Sequence, residues 1–195
     1  MSSDYQQPNF YRFNQDSIQL VRKIGTLISL ADSILDLGAG CGVIGIELAR
    51  ILKPKKLTLL ELQKEFEPYL IYNAQEFLPL EVKHEIVINS FSDFVTVEKY
   101  DLIVSNPPYY LPGHGEISKN KNRATARSFA TDSWSILVKT ISELLTMEGR
   151  GYLVLKADQK LYQMVQKEAG LTNLILHRHE LGPLMVLELL RLDKN

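Results

Sequence analysis

The stretch SILDLGAGCGVIGIELARIL, residues 33–52, changes its pattern midway in a manner that predicts the fold. Its first part, SILDL, is a short apolar run that ends at glycine and is typical of a buried strand. Its last part, VIGIELARIL, has apolar residues at helical spacing and predicts a helix over 43–52. The loop between them carries three alternate glycines, Gly38, Gly40 and Gly42. We therefore predict a strand, a tight glycine-rich loop and a helix, in that order.

The same alternation of strands and helices runs through most of the chain. Besides 33–37, strands are predicted at 56–62, 85–89, 100–105, 149–156, 172–177 and 185–190, and helices at 16–30, 64–77, 132–146 and 158–169. This order favours an α/β fold, a mostly parallel sheet covered by helices on both faces, with ligands bound beyond the carboxyl ends of the strands. The last two strands have no helix between them, so we expect an antiparallel hairpin at the sheet edge.

Composition limits the classes of protein to which the chain can belong. It has 195 residues, 45% of them hydrophobic and 23% charged, with a formal net charge of −1, which is ordinary for one globular domain over 1–195. Cys41 is the single cysteine, so neither a disulfide framework nor a cysteine-based zinc site is expected, and no metal is predicted. Neither a signal-peptide core nor a bilayer-length apolar run occurs. We expect a cytoplasmic protein with no membrane partner.

The glycine loop has three interpretations. It can be a tight turn in which glycine only accommodates positive φ. It can be a dinucleotide site, because Gly40, Gly42 and Gly45 fit the nicotinamide pattern and Glu61 lies at the right distance to bind a ribose. Asp36 disfavours the dinucleotide, because a pyrophosphate at the helix N-terminus would meet a carboxylate. A ligand with a positive charge would be favoured there, which is the third interpretation.

The pattern hydrophobic-Asp-Leu-Gly-Ala-Gly-Cys-Gly resembles the first motif of class I S-adenosylmethionine-dependent methyltransferases. The resemblance implies a Rossmann-like, seven-stranded methyltransferase fold with S-adenosylmethionine as the cofactor. It also implies that Glu61, in LTLLELQ, binds the ribose hydroxyls. Where the family often has an acid after the third strand, this chain has Ser90 and Phe91, with Asp93 close behind. The cofactor-binding residues implied are Phe13, Gln15, Asp36, Gly38, Gly40, Glu61, Ser90, Phe91 and Asn106.

A second motif, Asn106-Pro107-Pro108-Tyr109, directly follows the predicted strand YDLIVS. The two prolines stop the strand and leave carbonyl groups without neighbouring amide donors. The motif resembles the fourth motif of amino-group methyltransferases, which act on exocyclic nitrogens of bases and on glutamine amides. Such a nitrogen is a poor nucleophile because its lone pair is delocalised. The resemblance implies that Asn106 and Pro107 accept its N–H groups and that Tyr109 stacks on the flat acceptor.

Two further stretches favour RNA as the acceptor. YRFNQDSIQL, residues 11–20, resembles the segment that opens the bacterial tRNA adenine-N6 methyltransferases acting on valine tRNA. An N-terminal segment over 1–15 would then lie over the cofactor, and a loop over 106–130 would face the substrate. In SKNKNRATARSFA, residues 118–130, four cations occur without an acid, and we expect them to bind RNA phosphates. These substrate-binding candidates are Lys119, Lys121, Arg123 and Arg127.

The acceptor itself stays open between alternatives. The same Asn-Pro-Pro-Tyr motif serves enzymes that methylate a glutamine amide in release factors, which would depend little on the cations of 118–130. A non-catalytic RNA-binding module that keeps the glycine loop as a scaffold is a third possibility. The tRNA family often has His-Glu after its Ala-Arg pair, whereas this chain has Ser128-Phe129. The leading prediction is N6-methylation of an adenine in tRNA.

Overall fold

The computed structural model describes residues 4–13, 15–107 and 131–192, and within these ranges the chain forms seven strands and five α-helices. The strands are β1 (Ser33–Leu37), β2 (Lys56–Glu61), β3 (Lys83–Ile88), β4 (Tyr100–Ser105), β5 (Leu145–Lys156), β6 (Leu174–Leu181) and β7 (Leu184–Arg191). The helices are α1 (Gln15–Leu27), α2 (Val43–Leu52), α3 (Glu67–Phe77), α4 (Thr131–Leu144) and α5 (Gln159–Leu171), with a short 3-10 turn (Lys64–Phe66) before α3.

All seven strands belong to one sheet, in the order β3-β2-β1-β4-β5-β7-β6. The neighbours from β3 to β5 are parallel, whereas β7 runs antiparallel to both β5 and β6. This confirms the predicted α/β fold and the terminal hairpin at the sheet edge. The chain order reverses between β1 and β4. In open α/β sheets, the crevice at such a switch point is where ligands bind.

Two hydrophobic layers cover the sheet. Residues of α1, α2 and α3 pack on one face, and residues of α4 and α5 pack on the other. Strand β1 shows why both faces are buried: Ile34 belongs to the first layer, and Leu35 and Leu37 belong to the second. A strand in contact with helices on both sides needs a nearly continuous apolar sequence, which SILDL provides.

The predicted boundaries are right for β1, α2 and β4 and wrong for several other elements. Strand β5 begins at Leu145 rather than at Gly149, because Leu145 already pairs with Tyr100 and the register shifts before the ladder continues at Leu102. A Cβ atom on Gly149 would lie 2.8 Å from the carbonyl oxygen of Tyr100, so glycine belongs to the irregular part of the strand. Strand β6 runs past the predicted end at 177, because its full length pairs with β7.

Gly45 allows α2 to approach the sheet closely. A Cβ atom there would lie 2.8 Å from the Leu59 side chain and 3.0 Å from Asp36 Oδ2. We expect Gly45→Ala to lower the free energy of unfolding by about 1–3 kcal/mol through overpacking, as measured by denaturant unfolding. Gly170→Ala is the matched control, because it is helical in α5 and has no atom within 4 Å of the added Cβ. The control should raise stability slightly, and an equal gain at Gly45 would contradict the close packing.

Within the part of the chain that the structure describes, no helix has the length and apolar character needed to cross a bilayer.

Candidate active site

A cleft lies at the carboxyl ends of β1 and β4, where the switch point of the sheet was expected to bind a ligand. It is lined by Tyr11, Phe13, Ser17, Gly38, Ala39, Cys41, Val43, Ile44 and Asn106. Three residues predicted from separate motifs, Phe13, Gly38 and Asn106, therefore meet around one space. The end of β4 is tied to the end of β1, because Ser105 Oγ donates a hydrogen bond to the Leu37 carbonyl at 2.6 Å.

The glycine loop has three residues with positive φ, +74° at Gly38, +58° at Gly40 and +84° at Gly42. The backbone N–H groups of Gly38 and Ala39 both donate to the Leu60 carbonyl, at 2.8 and 2.9 Å, and so hold the loop on the end of β2. A Cβ on Gly38 would have no atom within 4 Å. Gly38 therefore leaves room in which a ligand can approach the backbone.

Two buried carboxylates accept hydrogen bonds from backbone N–H groups in and next to this loop. Asp36 is 1% exposed and accepts a hydrogen bond from Gly45 N–H at 2.8 Å. Glu61 is 6% exposed and accepts from Gly40 N–H and Gln63 N–H, each at 2.8 Å. Neither acid forms an ion pair with a described Lys or Arg side chain. The loop therefore favours a cationic ligand and disfavours a pyrophosphate.

Burial raises the pKa of both acids. For Asp36 the pKa rises to about 7, because burial outweighs the hydrogen bond from Gly45 and the charge of Glu61 acts in the same direction as burial. For Glu61 burial is again the largest cause, partly offset by backbone hydrogen bonds that include those from Gln63 and Gly40. The Asp36 side chain accepts its hydrogen bond from the first turn of α2. Contact between Asp36 and a cofactor stays a prediction.

The pKa of Asp36 predicts a measurable dependence of stability on pH. In the unfolded chain, Asp36 has its ordinary pKa of 3.8. Between about pH 4 and 7, the folded protein therefore keeps a proton on Asp36 that the unfolded chain has already released. The contribution of Asp36 to the free energy of unfolding therefore falls as pH rises through this window, by up to about 4 kcal/mol. Asp36→Asn should remove this fall, so the variant should gain stability relative to the wild type between pH 5 and 8. Denaturant unfolding of both proteins across this range tests it, and parallel curves would contradict the raised pKa.

The N-terminal residues 4–13 pack across the glycine loop. The ring of Tyr11 lies edge-to-face on Phe66, with centroids 5.2 Å apart, and comes within 3.8 Å of the position of a Cβ on Gly40. Burial raises the pKa of the Tyr11 phenol. The sequence motifs did not identify Tyr11 as a site residue, although the aromatic run YRF just before a helix start could have indicated one.

Asn73 anchors this N-terminal segment to the loop. Its Oδ1 accepts a hydrogen bond from Gln6 N–H at 2.9 Å, and its Nδ2 donates to the carbonyls of Gln6 and Cys41, each at 2.8 Å. Asn73 is fully buried in α3. Nothing in the local sequence of α3 signalled this role, because both partners are distant in the chain.

Asn106 and Pro107 directly follow β4 and border the glycine loop from the other side. Asn106 is half-buried and Pro107 is buried. The Asn106 side chain donates from Nδ2 to Ser17 Oγ in α1 at 3.1 Å. The first turn of α1, the end of β4 and the glycine loop thus meet at one point, close to where a planar acceptor would have to enter.

Ser90 and Phe91, the predicted cofactor contacts after β3, lie in different surroundings. Asn89 N–H donates to the Glu61 carbonyl at 2.9 Å, so Ser90 lies just beyond the end of β2. Ser90 Oγ donates to Asp93 Oδ2 at 2.8 Å, which keeps this carboxylate within its own turn. Phe91 packs with the second hydrophobic layer and borders a groove against α4. The cleft between Gly38 and Asn106 does not include the Phe91 ring.

Several predicted site residues lie outside the part of the chain that the structure describes. They are the Gln15 side chain, Tyr109, Lys119, Lys121, Arg123 and Arg127. Among the residues that it does describe, no group of His, Cys, Asp and Glu side chains could hold a metal ion.

Comparison with known proteins gives consistent matches. The family model of the methyltransferase small domain matches residues 12–180. A tRNA1(Val) (adenine(37)-N6)-methyltransferase of Glaesserella parasuis is 35% identical over 130 residues, covering 67% of this chain and 54% of that protein. One of the same name from Pedobacter heparinus is 26% identical over 171 residues, covering 86% of this chain and 70% of that protein. The chain thus spans about half the length of the first of these relatives.

Solved structures with low identity share the fold. A 16S rRNA N2 G1207 methyltransferase of T. Thermophilus, solved in complex with AdoMet and guanosine, superposes with a TM-score of 0.67 at 18% identity, over 93% of this chain and 44% of that one. A putative RNA methyltransferase of Pyrococcus horikoshii superposes with a TM-score of 0.67 at 17% identity, over 97% of this chain and 93% of that one.

Proposed function

The chain belongs to the methyltransferase small domain family, and from this we propose that it transfers a methyl group from S-adenosylmethionine to the N6 amino group of an adenine in tRNA. The observation that carries the proposal is the meeting of Asn106 with the glycine loop, beside two buried carboxylates without a described cationic partner. The names of the relatives support tRNA adenine as the acceptor. The chain spans only part of the length of these relatives, so tRNA adenine is the acceptor that we propose for it.

The cofactor fits the residues at the loop. The open space at Gly38 would admit the cofactor against the backbone, and the carboxylate of Glu61 would accept the ribose hydroxyls next to Gly40. The negative charge of Glu61 suits the positive charge of the ligand, and Asp36, whose pKa is about 7, adds to it when ionised. When bound, the sulfonium centre supplies an electrophilic methyl group. Phe13, Gln15, Ser90 and Phe91 stay proposed contacts, and the solved rRNA enzyme with AdoMet supports the choice of cofactor.

The residues of the chain would act on the acceptor by holding it. The Asn106 amide oxygen and the Pro107 carbonyl would accept the two N–H groups of the acceptor amine and so favour a geometry in which its lone pair points at the methyl group. No strong base is needed before transfer, because a neutral thioether would leave from the sulfonium, and the methylated nitrogen would lose its extra proton to water afterwards. Tyr109 would stack on the base. Lys119, Lys121, Arg123 and Arg127 would bind phosphates around a flipped-out adenine. The cytoplasmic location stays a prediction.

The proposal is tested by supplying labelled S-adenosylmethionine to the purified protein with three separate acceptors, namely total tRNA, ribosomal RNA and release factor. The expected result is label in tRNA that digests to N6-methyladenosine. Label in release factor would assign the chain to the glutamine methyltransferases, and label in ribosomal RNA alone would change the RNA acceptor. Bound cofactor with no transfer to any acceptor would favour a non-catalytic binding module. Calorimetric titration of the cofactor distinguishes this last outcome from a protein that has lost its fold.

A further inference from the structure

We propose that Ser17 is a positioning residue for methyl transfer, acting by holding the amide of Asn106; this rests on the proposed function. Ser17 lies in the first turns of α1 and is 3% exposed. Its Oγ accepts a hydrogen bond from Asn106 Nδ2 at 3.1 Å, across 89 positions of sequence. On the Ser17 side, water therefore has little access to compete for the contact.

The geometry of a planar amide explains why this contact matters. The nitrogen and oxygen of the Asn106 side chain are fixed on one carbon, so a hydrogen bond that holds the nitrogen at Ser17 directs the oxygen away from Ser17. The terminal torsion of asparagine side chains is in general broad and nearly two-fold, so each hydrogen bond to the amide helps to select one orientation. A rotation would replace the acceptor by an N–H donor, which repels the N–H groups of an amine. The contact therefore keeps the acceptor orientation ready before the substrate arrives.

The residues just before α1 lie against the glycine loop, on the side of the cleft opposite Asn106. Ser17 and Phe13 both line the cleft with Gly38, and Tyr11 precedes them against Gly40. Tyr11 and Phe13 therefore lie against the glycine loop, while the Ser17 hydroxyl holds Asn106. Through Asn106, Ser17 would fix the position of the acceptor relative to the cofactor that is proposed to bind at the glycine loop.

The test is the kinetics of Ser17→Ala, Ser17→Cys and Ser17→Thr in labelled methyl transfer to tRNA. Alanine is expected to keep the fold, because it favours helix and fits the space. We expect kcat to fall about tenfold or more in the Ala and Cys variants, which lack a strong acceptor, with cofactor affinity within twofold of wild type. Ser17→Thr should recover kcat because it keeps the hydroxyl. Thr26→Ala is the matched control in α1: its hydroxyl donates an exposed hydrogen bond to the Lys23 carbonyl, away from the cleft, and its loss should leave kcat unchanged.

A double-mutant cycle separates positioning through Asn106 from a general structural effect. If Ser17 acts through Asn106, Ser17→Ala should cost nothing further when Asn106 is already alanine. An equal loss in both backgrounds, or a wild-type kcat in Ser17→Ala, would overturn the inference. Failure of the wild-type protein to methylate any nucleic acid would instead overturn the proposed function. The wild-type assay shows this result without any Ser17 variant, so the two failures are distinguishable.

Discussion

Replacing Asn106 with alanine is expected to lower kcat for methyl transfer by about 10²–10³-fold, with less than a tenfold loss of cofactor affinity. The side chain is half-buried at the end of β4 and is already held by Ser17, so it costs little to order when the acceptor binds. Its amide oxygen is proposed to accept an N–H that becomes more polarised as the nitrogen attacks, and such an interaction strengthens in the transition state. Loss of kcat without loss of binding is the result that this role requires.

Single-turnover transfer of label, with the cofactor affinity measured in parallel by calorimetry, checks the prediction. Asn173→Ala is the control, because Asn173 is also an asparagine next to a strand end, just before β6 and outside the cleft lining, and its positive φ of +57° makes alanine unfavourable there. It should cost some stability and leave kcat unchanged, which shows that modest destabilisation alone does not mimic the effect. If Asn106→Ala retains kcat within threefold, the residue does not hold the acceptor.

Replacing Glu61 with glutamine is expected to weaken cofactor binding by about 10–100-fold, because the charge-assisted hydrogen bonds that we propose between Glu61 and the ribose hydroxyls would become neutral ones. The fold should survive, since the amide oxygen can still accept from Gly40 N–H or Gln63 N–H. Burial raises the pKa of Glu61, so its charge costs folding stability at neutral pH. The variant should therefore be stabilised less by the cofactor, while its melting temperature without cofactor reflects the lost charge and the lost hydrogen bond together.

Thermal unfolding with and without S-adenosylmethionine measures both effects in one experiment. Glu188→Gln is the matched control, because Glu188 is also a buried strand glutamate, 5% exposed in β7, and bonds to Tyr152 and Arg150 instead of to the glycine loop. It should alter stability but not the stabilisation that the cofactor brings. A Glu61→Gln protein that binds the cofactor as tightly as wild type would remove the ribose contact from the proposed site.

Local sequence patterns predicted the elements whose ends depend on local chemistry. The bounds of β1, α2 and β4 match their predictions, because glycine or proline stops each at a definite residue. The bounds of β5 and β6 do not match. Both strands are extended by pairing with partners far along the chain, Tyr100 for the start of β5 and β7 for the end of β6. Propensity within a short window carries no information on such partners.

The candidate site divides in the same way. Glycine spacing and the Asn-Pro-Pro-Tyr motif signalled Gly38, Gly40, Glu61 and Asn106, because each chemical role needs a particular residue type at a strand end. Asn73 gave no such signal, since a buried asparagine in a helix has the same local appearance whether or not it bonds to Gln6.

The sequence by itself determined the order of strands and helices along the chain, the glycine loop after β1 and the Asn-Pro-Pro-Tyr motif after β4. These follow from periodicity and from residues with restricted backbones, and both act over a few positions. Only the tertiary structure decided that Asp36 bonds to the first turn of α2, that residues 4–13 cover the loop and that Ser17 holds Asn106. These contacts join side-chain and backbone groups as many as 89 positions apart. Such pairs exist only once the sheet has brought the strand ends together and the surrounding core has excluded water from them.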